Sequence, residues 1–284
     1  MPTIAFFGPT GGCANACLAY TLRNGYDVIA LARTPSKLTA QLLEQPGLTP
    51  ALLEKHLHIV QGDATDVDAV TQTLLVHDDG ATCTLVSSII SGMGGTGTMA
   101  FTKPSPCDKV PLRMPTLPHI TIANPHITEQ FTRTLLAALR GLAARFPSYA
   151  AYKEACPRLT VISTTGIRRG VKDLPTLMKP MYAMMGVPHA DKEQMEKVLA
   201  AELGREQTLL CRGLVIVRPS FLSGDHRIAA EGEDSGYGRL RVGTDGSPAV
   251  GYTVGRPLIG QWIFEEIVKR GGDRWVGEGV MLTE

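Results

Sequence analysis

The chain has 284 residues, with 28 lysines and arginines against 27 aspartates and glutamates, and its net charge of +1 gives no reason to expect nucleic acid or an anionic membrane as partner. Hydrophobic residues at 44% and charged residues at 19% exclude bulk disorder and supply a large core, enough for one large α/β domain with a small appended lobe. No apolar run is long enough to span a bilayer and no charged leader precedes the first strand-like segment, so a cytoplasmic protein is expected.

In chain order, Thr3–Phe7 is a short apolar strand ended by glycine, and Ala14–Asn24 has helical spacing closed by Gly25. Asp27–Ala32 reads as a second strand, Lys37–Leu43 as the start of a helix and Leu57–Gln61 as a third strand. Val67–Val76 follows as a helix and Thr82–Ile90 as a fourth, continuously apolar strand. Ser91–Thr128 breaks the alternation, with glycines at 92, 94, 95 and 97 and six prolines from 104 to 125. A structureless loop is expected there, at the carboxyl edge of a sheet, where open α/β folds bind ligands. Thr128–Phe146 is a long helix and Leu159–Ser163 a fifth strand. In Gly166–Ala190, Met178, Met181, Met184 and Met185 stand beside Tyr182, as core packing or as a pliable apolar wall over a substrate. Asp191–Leu203 is a further helix and Gly213–Arg218 a sixth strand. Near-continuous apolar strands separated by helices predict a doubly wound α/β fold with a parallel sheet. The cysteines at 13, 17, 83, 107, 156 and 211 form no CxxC pair and complete no metal site, so reduced, buried thiols are expected and no metal.

Gly8, Gly11 and Ala14 stand at GxxGxx(G/A) spacing, with Thr10, Gly12 and Cys13 between them in "GPTGGCA". The first glycine permits a tight turn, Gly11 lets the backbone approach a pyrophosphate, and a small residue at 14 lets helix and strand close together. The helix start offers free N–H donors to phosphate; a purely structural turn is the plainer alternative. The second strand ends in "ALART", with Arg33 where an NAD site places a carboxylate, and Lys37 one turn further on. A guanidinium grips the 2′-phosphate of NADP in bidentate fashion and stacks on adenine, against the bland reading of a solvated arginine. Residues 1–220 are therefore expected to form an NADP-binding domain, with the long loop 91–128, and residues 221–284 a small C-terminal substrate lobe packed on it.

"GPTGGCA", "GDATD" after the third strand, "HADKEQMEKVL" in the late helix and "VRPSFLSG" after the sixth strand occur in register. Together they resemble the atypical short-chain dehydrogenase/reductases, specifically the NmrA-like and biliverdin-IXβ-reductase-like branch of the NAD(P)-binding Rossmann family. The resemblance implies that Asp63 and Ala64 sit beside the adenine, and that Ser87 and Ser88, at the end of the fourth strand, border the cofactor. It also implies that Ser163 and Thr164 face a substrate carbonyl, with hydroxyls able to donate to it, and that Pro219 and Ser220 contact the nicotinamide carboxamide. Asp63 as a simple helix cap and the hydroxyls as turn caps are the plainer readings.

The family pattern YxxxKxxxExxL sets a tyrosine four residues before a lysine on one helical face. Lys192, Glu196 and Leu199 match its lysine, glutamate and leucine, whereas Pro188 occupies the tyrosine position. Lys192 is implied to keep a ribose-binding role; the alternative is an exposed lysine paired with Glu196. The proton donor then has to be His189, whose ordinary pKa suits proton transfer near neutrality, or Tyr182, Lys192 or a water. Hydride transfer from NADPH to a carbonyl or quinone-like group of a bulky apolar molecule, an aromatic polyketide being one example, is the function expected. The loop 91–128, the segment 166–190 and "FLSGDHRIAAEGEDSGYGRL" are expected to line its pocket. An NADP-binding sensor without turnover, a dehydratase, isomerase or cyclase on the same fold, and a Rossmann relic that binds no dinucleotide stay open. The sequence indicates no oligomeric state.

Overall fold

The computed structural model describes residues 2–77, 83–95, 97–100, 119–168, 170–203 and 210–284. The chain begins with β1 (Ile4–Phe7), α1 (Gly12–Arg23), β2 (Val28–Ala32), α2 (Pro35–Leu43), α3 (Pro50–His56) and β3 (Leu57–Gln61). It continues with α4 (Val67–Thr73), β4 (Leu75–His77), β5 (Cys83–Leu85), β6 (Ser88–Ser91), β7 (Gly97–Ala100), β8 (His119–Ile122) and α5 (Ile127–Ala143). Next come α6 (Tyr149–Ala155), β9 (Arg158–Ile162), α7 (Lys179–Ala183), α8 (Gly186–Leu203), β10 (Gly213–Pro219) and β11 (Phe221–Ser223). The last elements are β12 (Arg241–Thr244), β13 (Thr253–Gly255), α9 (Arg256–Trp262), which widens into a π-helix over Ile263–Lys269, and β14 (Gly279–Thr283).

Eight strands form the central sheet in the order β12-β14-β10-β9-β6-β1-β2-β3. All neighbours are parallel except the edge strand β12, which runs antiparallel to β14. This is the doubly wound, Rossmann-type sheet that the strand–helix alternation predicts. Alternate residues feed two cores: Ile4, Phe6, Val28 and Ala30 pack with α1, α3 and α9, while Ala5, Phe7, Ile29 and Leu31 face α4, α5 and α8. With both faces covered, β1, β2 and β9 are buried along their whole length, which is why they read as unbroken apolar runs. Proline at the first position starts α2 and α3, and side-chain caps from Thr49, Asp66 and Ser148 start α3, α4 and α6. After β10, the chain adds β12 and β14 to the same sheet and packs α9 along α1.

Three expectations change. The run expected as one strand over 82–90 is split: β5 pairs antiparallel with β4, Val86 donates its N–H to Leu74, and the parallel strand begins only at Ser88. The segment after it is not wholly structureless, because β7 and β8 pair as an antiparallel hairpin, tied to the end of α7 by the Ile120 N–H on the Met184 carbonyl at 2.8 Å. The interior of that segment, residues 101–118 with Cys107 and most of its prolines, lies outside the described residues. The late helix α8 also starts earlier than expected, at Gly186, so Pro188 and His189 lie in its first turn. Cys13, Cys17, Cys156 and Cys211 are buried and free. Among the described residues no helix is long and apolar enough to cross a membrane, and no cluster of potential metal ligands exists.

Candidate active site

From β1 the chain winds outward to β2 and β3, then returns to β6 on the other side of β1, so the sheet's switch point opens between the carboxyl ends of β1 and β6. The glycine turn sits there. Gly8 has φ +69°, and a Cβ on it would stand 2.8 Å from the Gly92 carbonyl oxygen. The Gly11 N–H closes the turn on the Gly8 carbonyl at 2.9 Å. Gly11 is the N-cap of α1 and no side chain caps that end, which leaves the first N–H groups of the helix to the crevice. Ala14 packs so closely on Gly92 that a Cβ on the latter would lie 2.5 Å from its own. Thr10 is exposed on the turn, and Gly12 underlies the Arg256 side chain. Cys13 is buried, and desolvation pushes its thiol up to about 12 against the opposing charges of Arg256 and Lys192, so it is no nucleophile at neutral pH. Asn15 fixes the turn from below: its amide donates to the Pro9 carbonyl at 2.9 Å and accepts from Gln45 at 2.9 Å. Gln45 in turn holds the His226 carbonyl and the Ile228 N–H, which fastens the turn to the chain after β11.

Arg33 and Lys37 are exposed at the end of β2 and on α2. Asp63 accepts from the Thr65 backbone at 2.9 Å and its hydroxyl at 2.6 Å, and these bonds, helped by Arg33, hold its carboxyl below the usual range. The helix cap there is Asp66 rather than Asp63. Ala64 is partly buried against the core on that face. Ser87 and Ser88 need correcting. They open β6 instead of ending it: Ser88 lies level with Ile4, and the Ser87 hydroxyl donates to the Thr3 carbonyl at 2.9 Å. They stand at the amino edge, away from the glycine turn. Ser91, level with Phe7, and Gly92 take the place beside the turn, because β4–β5 pairing consumes the first half of the apolar run.

Beside the turn lies a cavity of about 250 Å³. Gly94, Gly95, Ile122 and Thr128 line it from one side, Tyr182, Met185, Pro188 and His189 from a second, and Phe221 and Leu222 from a third. These come from the segments 91–128, 166–190 and 221–240; of the four methionines only Met185 reaches the wall. Lys192 projects into this cavity from α8. Its ammonium donates to the Met93 carbonyl at 2.7 Å and the Ile162 carbonyl at 2.6 Å, and so ties the ends of β6 and β9. Removal from water lowers its pKa from 10.5 to about 8, an effect that Asp191, Cys13 and Glu196 partly oppose. The alternative of an exposed lysine paired with Glu196 fails, because Glu196 is engaged elsewhere.

Glu196 forks onto Arg218, which is only 2% exposed, through Nε at 2.9 Å and Nη2 at 2.8 Å. Arg218 reaches on to Asp245 at 2.6 Å, and Asp245 also pairs with Arg168. The Ser163 hydroxyl donates to Glu196 at 2.6 Å, and a carboxylate forked by a guanidinium can only accept. Ser163 therefore turns lone pairs, not a proton, to the cavity, which corrects its implied role as donor. Thr164 lines the wall with its hydroxyl on the Thr165 carbonyl, while Thr165 and the buried Tyr182 hydroxyl meet at 3.0 Å. Burial raises the Tyr182 pKa and lowers that of His189 to about 4, so at neutral pH neither releases a proton readily. Asp191 accepts from the Thr128 and Glu129 N–H groups at 2.9 and 3.0 Å and thereby caps α5, which locks α8 onto it. The Thr128 hydroxyl, buried at the cavity wall, has no partner. Pro219 and Ser220 border the cavity at the end of β10, with the Ser220 hydroxyl on Thr283 at 3.0 Å.

Gly92, Asp191, Arg218, Asp245 and Arg256 escaped sequence reasoning. Only Gly92 left a usable signal, being one of the glycines directly after the fourth apolar run.

No protein-family model matches the sequence. Among curated proteins the chain is 44% identical to the oxidase pynE of Aspergillus niger, over 99% of this chain and 98% of that one. It is 39% identical to the reductase pytE of Aspergillus terreus over the same shares. Among solved structures it resembles a short-chain dehydrogenase/reductase from Veillonella parvula in complex with NADP, with a TM-score of 0.60 and 12% identity over 100% of this chain and 94% of that one. It also resembles ChuY, an anaerobillin reductase from Escherichia coli O157:H7, with a TM-score of 0.57 and 18% identity over 99% and 97% of the two chains.

Proposed function

The chain belongs to one family with the fungal oxidase pynE and reductase pytE, and on that premise we propose that it is an NADPH-dependent reductase of the short-chain dehydrogenase type, acting on a bulky, apolar small molecule. The observation that carries this reading is Lys192, an ammonium of lowered pKa at the wall of a largely apolar cavity beside an uncapped, glycine-turned helix start.

The residues fit the dinucleotide: the Gly8 turn, pressed against the Gly92 backbone, sets the start of α1 at the sheet's switch point, and the α1 N–H groups there have no side-chain cap. The Gly8–Ala14 turn takes the pyrophosphate, Arg33 and Lys37 take the 2′-phosphate, and Asp63 and Ala64 border the adenine. When bound, NADPH supplies the hydride. Lys192 uses two of its three N–H groups on the Met93 and Ile162 carbonyls, which aims the third at an oxygen in the cavity. That N–H holds the substrate carbonyl and gives its proton as negative charge builds on the oxygen, so that carbonyl, hydride and proton together yield the alcohol. Pro188, in the place of the family's tyrosine, has no proton to give. Orientation by Ser163, which accepts from a hydroxyl or amide, and by the apolar walls supplies the rest. An aromatic polyketide with a ketone or quinone group suits walls of Ile122, Met185, Phe221 and Leu222.

Calorimetric titration with NADPH, NADP, NADH and NAD, followed by NADPH oxidation against a panel of ketones and naphthoquinones, tests the proposal. Preference for the phosphorylated pair together with turnover of an acceptor is expected. Tight NADPH binding with no turnover of any acceptor would favour a dinucleotide sensor, and no binding of any dinucleotide would end both readings.

A further inference from the structure

Arg256 opens α9, and α9 lies alongside α1. Glycine makes the approach possible at two levels. A Cβ on Gly260 would stand 2.5 Å from both the Ala16 Cβ and the Cys17 nitrogen, and a Cβ on Gly12 would collide with the Arg256 Cδ. The two contacts are one helical turn apart on each helix, so the side chain of Arg256 is laid over the first turn of α1 by the packing itself. There its guanidinium donates to the Gly224 carbonyl and borders the cavity. Among the described residues no carboxylate lies within ion-pair distance of it. A positive charge thus stands at the positive end of a helix, with Lys192 at the wall of the same cavity, and among the described residues no carboxylate pairs with Arg256. An anion at that point would meet the guanidinium and the helix start together.

We infer that Arg256 is a cofactor-binding residue that grips the pyrophosphate of the dinucleotide from the side opposite the glycine turn. The inference rests on the cofactor reading above and extends it to a residue outside the fingerprint. The N–H groups of α1 carry about half a unit charge between them, against two on a pyrophosphate, and a guanidinium supplies the missing neutralisation in a geometry suited to two oxygens. It also divides the labour between the two arginines: Arg33 reads the 2′-phosphate, whereas Arg256 reads what NADPH and NADH share.

The test is calorimetric titration of wild type, Arg256→Gln and Arg256→Lys with NADPH, NADH, ADP-ribose and 2′-AMP. Arg256→Gln should weaken NADPH, NADH and ADP-ribose by one common factor, on the order of ten- to a hundredfold, and leave 2′-AMP unchanged. Arg256→Lys should recover part of the loss, and the loss should shrink as salt is raised. Thermal melts of the three proteins guard against a folding defect, for which 2′-AMP binding is the internal control. Unchanged ADP-ribose affinity in a folded Arg256→Gln protein, or a loss confined to NADPH and 2′-AMP, overturns the assignment while leaving the cofactor reading intact. Failure of the wild type to bind any of the dinucleotides removes both.

Discussion

The two halves of the sheet hold their functional ends by different means. Around β1, α1 and β2 the work is done by backbone: a turn at Gly8, an uncapped helix start, and small residues at 12, 14 and 92 that let chain segments touch. Around β9, α8 and β10 it is done by side chains: Lys192 bridges two strand ends, Asp191 caps α5, and the Ser163–Glu196–Arg218–Asp245 chain ties the helix to the sheet. A backbone site needs absences, residues without a Cβ, whereas a side-chain site needs partners, every one of them satisfied. The first half is accordingly vulnerable to added atoms and the second to removed charges.

The sharpest way to break the contrast is Lys192→Met. With an accepted carbonyl substrate, kcat should fall by roughly two to four orders of magnitude while NADPH affinity, which the proposed function assigns to the other half, changes far less. With the ammonium as the proposed donor, reduction by the wild type should slow as pH rises through about 8 and hold steady below it. A profile that is flat through pH 8 would take the proton away from Lys192. Arg218→Met should come next, at roughly 3–5 kcal/mol of stability in urea melts, because it strands Glu196 as a buried charge. A loss under 1 kcal/mol would mean that the network is dispensable.

Arg33→Ala addresses the first half. It should weaken NADPH by roughly ten- to a hundredfold and leave NADH alone, as read by calorimetry; equal losses would remove Arg33 from the phosphate site. The smallest effect is expected from Gly260→Ala, about 1–3 kcal/mol in a thermal or urea melt, since its methyl meets Ala16 and Cys17. A neutral result would show that α9 and α1 can part without cost.

The contrast also governs what could be read from the sequence. Strands β1, β2 and β9 and the glycine turn were legible because burial on two faces and a tight turn each leave a local pattern. The strand break at Ser88 was not, since the apolar run continues across it and the two pieces part only in the neighbours that tertiary packing gives them. The switch from Glu196 to Arg218 as ion partner spans two separate elements, and the Asp191 cap joins α8 to the start of α5. Such bonds are set by tertiary packing, so the sequence holds the residues without their pairing. Lys192 stood out through the family pattern, but its lowered pKa depends on the depth to which packing drew it in.

The two carbonyls on Lys192 have a further consequence. An ammonium has three hydrogens and a neutral amine two, and Met93 and Ile162 accept two. Whichever charge it bears, the nitrogen keeps both moorings; the only thing that alternates is whether its free corner shows the cavity a hydrogen or a lone pair. A proton leaving that corner and one returning to it therefore traverse the same unaltered frame, and the strand ends need not shift between turnovers.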